Sequence, residues 1–178
     1  MVQKLNLGCG SDIRKGWINL DSINLQGVDV VHDIEKLPLP FKNEEFDEIL
    51  CLDILEHVEY VSVLEDLHRI LKKGGKIKIQ VPHFTSRNNY IDPTHKKRFS
   101  IKTFEFFVED SKHGRDYYFH FHFNKIINQK ITFEKGILFF NHLIEPLINS
   151  SNKMQILYEK TFLSRIFPAM DIEVELIK

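Results

Sequence analysis

Leu5-Asn6-Leu7-Gly8-Cys9-Gly10, followed by Gly16-Trp17-Ile18-Asn19-Leu20-Asp21, is the stretch on which the fold turns. A short strand over residues 4–9 runs into a glycine turn, where the missing Cβ lets the backbone come close to a ligand. The next strand, residues 17–20, ends at an acid that can accept hydrogen bonds from a ribose diol. Open α/β sheets hold adenosine-containing cofactors in this way, at the carboxyl ends of their strands. A Gly-x-Gly pair alone is also an ordinary tight turn. Its weight comes from what surrounds it.

Working outward, residues 28–31, 47–52 and 76–81 read as further strands. Between the last two lies a helix: Val61, Val63, Leu64, Leu67, Ile70 and Leu71 keep helical spacing, and Glu65 stands four residues before Arg69. Lys72-Lys73 and then Gly74-Gly75 are a stop signal. Strand, helix and strand make a right-handed crossover and imply a parallel sheet. Residues 12–16 and 22–27 are too short for crossover helices, which need about a dozen residues. Strand residues also alternate, with Ile77, Ile79 and Val81 against Lys76, Lys78 and Gln80. One sheet face therefore lacks its usual helices. It is solvated, covered by the C-terminal half, or covered by a second subunit.

The second half predicts a helix from Ser100, with Phe99 and Phe104 spaced as a hydrophobic staple. Strands follow over 117–123 and 130–133, then helices over 138–150 and 153–165 and a closing strand over 172–177. Pro146 weakens the first of those two helices. The expectation is one α/β domain over 1–178. Within it, 1–82 form a cofactor-binding core, 83–170 form substrate or oligomer elements, and 171–178 close the sheet.

Composition narrows the functions. The 178 residues are 43% hydrophobic and 28% charged with a net charge of −1, so no basic surface calls for nucleic acid. No apolar run suits a membrane span, and no leader pattern precedes the first strand. Cys9 and Cys51 fall on core strands and read as buried thiols of a cytoplasmic protein. His120 and His122 share one strand face but lack a third ligand, so no metal is expected there.

With this order of elements the chain resembles the small class I S-adenosylmethionine-dependent methyltransferases, of the type 11 kind, over about residues 3–108. The resemblance rests on the glycine motif and Asp21, and on Asp33-Ile34 before Leu37-Pro38-Leu39-Pro40-Phe41. Glu45-Phe46-Asp47 before Ile49-Leu50-Cys51-Leu52-Asp53, Glu56-His57, and Leu71-Lys72-Lys73-Gly74-Gly75 continue it. It implies a Rossmann-like, mostly parallel sheet with reduced helices after the first two strands. It also implies S-adenosyl-L-methionine as cofactor, held by Leu7, Gly8, Cys9, Gly10, Asp21, Ser22, Asp33, Ile34, Leu52 and Asp53. Where the family has a full helix after the glycine motif, Gly10 to Asp21 leaves no room for one.

Methyl transfer is an in-line displacement in which the enzyme aligns a nucleophile, with a general base where the acceptor is a protonated alcohol. His57, just past the fourth strand, and His95 are the candidate bases. His83, Asp92 and Arg98, in the loop after the fifth strand, are candidate acceptor contacts, with Lys96, Lys97 and Arg98 suited to an anionic group. Plainer readings stand beside these: turn caps for Asp21 and Asp33, structural histidines, and a solvated cationic edge. The leading expectation is methyl transfer to a small acceptor, such as a sugar or another anionic or hydroxylated metabolite, by a homo-oligomer. A binding-only adenosine module is the alternative. A nicotinamide oxidoreductase is disfavoured because Ile13 replaces the third glycine.

Overall fold

In a computed structural model, which describes residues 2–109, 111 and 116–178, seven strands form one sheet. They are β1 (Lys4–Leu7), β2 (Ile18–Asp21), β3 (Val30–Val31), β4 (Phe46–Leu52), β5 (Leu71–Pro82), β6 (Lys125–Ile131) and β7 (Asp171–Ile177). Their order is β3-β2-β1-β4-β5-β7-β6. The first five strands run parallel, and β7 enters antiparallel between β5 and β6. The helices are α1 (Tyr60–Ile70), α2 (Asn88–Ile91), α3 (Asn141–Ile148), α4 (Asn152–Lys160) and α5 (Leu163–Ile166). No helix among the described residues is long and apolar enough to cross a membrane.

The alternating pattern sorts the sheet into two unlike faces. Leu5, Leu7, Leu20, Ile49, Cys51, Ile77, Ile79, Val81, Ile172, Val174 and Leu176 share one face by register and are all buried. They join one core with Val63, Leu64, Leu67 and Ile70 of α1 and with Phe99, Phe104, Phe107, Phe123, Ile148 and Tyr158 from the second half. Both halves of the chain thus cover the same face. The opposite face carries Lys4 paired with Glu48 at 2.6 Å, and Lys78 near Glu173 at 3.8 Å, while Lys76 is exposed. Turns over residues 11–17 take the place of a helix there. The Asn6 amide donates to the Asp12 carbonyl, and Arg14 N donates to the Asn19 side chain. The missing crossovers leave a charged, water-facing surface.

Arg69 anchors the segment that runs along the sheet end after β3. It pairs with Asp66, rather than with the expected Glu65, and donates to the carbonyls of Leu39 and Phe41. In the second half several expected elements differ. The helix from Ser100 is a 3-10 turn at Thr103–Phe107, because Glu159 holds the Ser100 hydroxyl and the Ile101 amide. Residues 117–123 are not a strand. β6 occupies the sheet edge, and only an isolated bridge joins Phe123 to Val108. Phe121 and Phe123 are still buried, against Phe107 and His68. The strand expected at 130–133 begins earlier, at Lys125. α3 runs through Pro146, and the last expected helix divides at an extended Thr161.

Candidate active site

At the carboxyl end of β1 the chain turns through Gly8 (φ 62°) and Gly10 (φ 49°), both in the left-handed region. A Cβ on Gly8 would lie 2.6 Å from Ile54 Cγ1, whereas beside Gly10 there is open space. Gly10 N donates to Asp21 Oδ2 at 2.8 Å, and Ile23 N donates to Oδ1 at 3.0 Å. Asp21 therefore shapes the turn, and Oδ2 keeps a lone pair for a further donor. Ser22 flanks it. Leu7 and Cys9 are buried, and burial with the nearby Asp21 charge raises the Cys9 thiol pKa. Asp33 Oδ1 caps its own turn by accepting from Glu35 N, and Ile34 packs into the core. Leu52 is half-buried. Asp53 (φ 49°) takes both its oxygens to the Gln80 amide.

A cleft of about 290 Å³ opens beside Asp53, at the carboxyl ends of β4 and β5. Its lining includes Glu56, His57, Pro82, Asn88, Asp92 and His95. Residues 92–98 are clamped over the 3-10 turn Leu55–His57, because the Glu56 carbonyl accepts from Lys96 N at 2.8 Å and Lys97 N at 3.1 Å. Lys96 and Lys97 extend away from the cleft to Glu35 and Glu59. The clamp brings His95 edge-on to His57, with ring centroids 4.6 Å apart.

One hydroxyl decides the state of His57. Thr94 Oγ1 lies 2.6 Å from Asp92 Oδ1 and 2.8 Å from His57 Nδ1. The bonds from Thr94 lower the Asp92 pKa, so Asp92 is an acceptor and takes the single hydroxyl proton. His57 must then donate from Nδ1, which leaves the Nε2 lone pair free.

Beneath the two rings lies Glu56, with no exposed surface. Neither carboxyl oxygen finds a hydrogen-bond partner beyond the residue's own backbone. Burial first, then the nearby Asp53, Asp171 and Asp92 charges, raise its pKa to about 8. Asp171, at the start of β7, is raised to about 6 by burial and by Asp53 and Glu173. Burial and His57 lower the His95 pKa. The ionisable groups of the cleft wall are acids and imidazoles, with no Lys or Arg in its lining.

The structure thus gathers His57, His95, Asp53 and Asp92 around one cleft, and it leaves two expected acceptor contacts outside. His83 is fully buried, its ring bonded to Thr85 Oγ1 at 2.7 Å and Glu159 Oε1 at 3.1 Å, so it ties β5 to α4. Arg98 is exposed and stacks over Tyr90 at 5.2 Å. Glu56, Thr94 and Asn88 escaped the site reading. The first stands three residues after Asp53 and next to His57, but its burial is invisible in one dimension.

Comparison with known proteins agrees with this architecture. Residues 5–79 match the family model described as a methyltransferase domain. A 45-residue stretch is 49% identical to an uncharacterised protein of Methanocaldococcus jannaschii, covering 25% of this chain and about a fifth of that protein's length. A SAM-dependent methyltransferase from Archaeoglobus fulgidus superposes with a TM-score of 0.61 at 20% identity, over 99% of this chain and 86% of its own. An O-methyltransferase of Brevibacillus brevis, in complex with S-adenosyl-L-homocysteine, gives 0.58 at 16% identity over 99% and 67%. At such identities the likeness is one of fold. By the segment that matches and by its sheet order, the chain has the Rossmann-like fold of the class I S-adenosylmethionine-dependent methyltransferases.

Proposed function

We propose that this protein transfers a methyl group from S-adenosyl-L-methionine to a hydroxyl of a small molecule seated beside His57. The observation that carries the reading is the free Nε2 lone pair of His57, held in one tautomer by Thr94 and Asp92 at the mouth of the cofactor strands. The residues present fit the cofactor. Open space beside Gly10 and a carboxylate at the end of β2 form a cradle for a ribose, with Ser22 at its rim and Asp33-Ile34 on the adenine side. Leu7, Cys9 and Leu52 back the glycine turn from β1 and β4, and Asp53 stands where an ammonium would meet an acid. The cofactor supplies a methyl group activated on a sulfonium. His57 Nε2 accepts the acceptor's hydroxyl proton, and His95 and Asp92 border the same space.

The acidic lining favours a hydroxylated acceptor, such as a sugar, over an anionic one, since Lys96 and Lys97 are engaged with glutamates. The free, buried Cys9 and Cys51 suit a cytoplasmic setting. Calorimetric titration with S-adenosylmethionine and S-adenosylhomocysteine, with NAD as control, tests the cofactor; saturable binding of the first two alone is expected. His57→Asn should leave that affinity intact and lower turnover by about 10²–10⁴-fold. Unchanged turnover would remove His57 from the mechanism. The turns at 11–17, which supply no helix N-terminus beside the glycines, give the cofactor carboxylate less help and leave room for the non-catalytic alternative. Cofactor binding with no transfer to any of a panel of sugars and phenols would establish it.

We also propose a homodimer. Its support lies in the exposed Ile137, Phe139, Leu143, Leu147, Phe162 and Ile166, not in the charged sheet face. Light scattering at micromolar and higher concentrations should give twice the chain mass, and a monomer throughout would exclude it.

A further inference from the structure

We infer that Glu56, His57 and His95 form a binding site for a first-row divalent cation of the zinc or manganese kind, open to an oxygen of the acceptor. One donor atom from each residue lies within 4.8 Å of the others. His95 Nε2 is 3.8 Å from Glu56 Oε1 and 3.9 Å from Asp92 Oδ2. Metal–ligand bonds of about 2.1 Å set neighbouring ligands roughly 3–3.5 Å apart, so the side chains need to close by at most about 1.3–1.8 Å.

Three independent features point to a cation. Glu56 is completely buried and neither carboxyl oxygen has a partner outside its own residue, so its ionised form needs a positive charge to complete it. His95 is nearly buried, with its Nε2 turned toward the carboxyl groups of both Glu56 and Asp92. Asp53, Glu56 and Asp92 line the cleft, where no Lys or Arg answers them. The ligand set, two imidazoles and one carboxylate, is that of borderline divalent cations; magnesium and calcium prefer all-oxygen sets. His57 also has the supporting hydrogen bond that ligating histidines show, Nδ1–H to Thr94 and on to Asp92, with Nε2 left to bind.

Three protein ligands leave positions open for the acceptor. The inference deepens the methyl-transfer reading and, for the acceptor's role, rests on it. A hydroxyl bound to the cation loses its proton to water near neutral pH. The resulting oxygen forms its bond to the methyl carbon as the carbon–sulfonium bond breaks and its electron pair stays on sulfur. With the cation bound, the Nε2 lone pair of His57 acts on the same hydroxyl through the metal, as its ligand, and takes the proton directly only when the cation is absent.

The test is titration of the metal-free chain with Co²⁺, followed by visible absorption, with Zn²⁺ in competition. One equivalent should bind per chain, and Glu56→Gln and His95→Asn should each weaken it about tenfold or more. His57→Asn, on a half-buried residue, gives a second check should either of those variants fail to fold. No saturable Co²⁺ binding, or binding unaffected in all folded variants, overturns the site. Turnover unchanged after chelation overturns the cation's role and leaves methyl transfer standing. Cation binding without S-adenosylmethionine binding sinks methyl transfer and leaves the site.

Discussion

At the residue scale, position 8 ties a backbone requirement to a packing one. Gly8 needs a left-handed φ and has Ile54 directly against it, so Gly8→Ala meets strain and overlap together. The expected loss is about 2–4 kcal/mol of stability, with cofactor binding abolished, measured by thermal unfolding and calorimetry. Gly10→Ala meets strain alone, because its Cβ would enter open space, and should destabilise less. Equal losses would refute this account. His57 and His95 were legible as candidates because histidine near a crevice is a neutral-pH base. His83, expected as an acceptor contact, is a core residue. One dimension carries no information on which histidine finds two partners.

Among the elements, α1 and its flanking strands were legible from local spacing and strand alternation, but the helix stops at Ile70, and the expected stop, Lys72-Lys73-Gly74-Gly75, lies inside β5 because Leu71 is already extended. The second half was less so. There, long-range bonds outweigh propensity. Glu159 on α4 accepts from the Ile101 amide at 2.7 Å, the Ser100 hydroxyl at 2.8 Å and His83 Nε2 at 3.1 Å, and its pKa stays low through those bonds despite burial. One carboxylate thus joins β5, the 100–101 turn and α4. Glu159→Ala leaves these donors unanswered and should cost about 2–4 kcal/mol. Glu159→Gln, which keeps the acceptor oxygen, should cost less. A midpoint for Glu159→Ala within 0.5 kcal/mol of the parent, by urea denaturation, would show that the three bonds contribute nothing net.

Across the whole molecule, acid sensitivity has a buried source far from the cleft. His68 of α1 packs against Phe121 and Phe123, with the Lys178 ammonium bonded to its carbonyl and His122 nearby. Burial, then the charges of Lys178 and His122, lower its pKa from 6.5 to about 4. The native state holds it neutral, so the unfolded chain binds the extra proton as pH falls from about 6.5 to 4. Its contribution is complete above that window and lost across it, on the order of 2 kcal/mol once partial exposure is allowed for. Glu56 and Asp171, raised to about 8 and about 6, shift stability the other way on acidification, so wild type alone cannot isolate His68. The cost of His68→Gln relative to wild type should therefore shrink between pH 6.5 and 4, and a pH-independent difference would exclude the titration.

From the sequence alone came the first five strands in chain order and their parallel sheet, the glycine turn with its acid, and the absence of two crossover helices. Each follows from a repeat, a glycine or a link length within a few residues. Only the tertiary structure decided that both halves cover one face, that His83 is core, and that Glu56, His57 and His95 meet. Those three converge because the Glu56 carbonyl captures the amides of Lys96 and Lys97, some 40 positions onward. Such a long-range closure leaves no periodic mark in the chain, and the burial that gives Glu56 its chemistry exists only once the loop has closed.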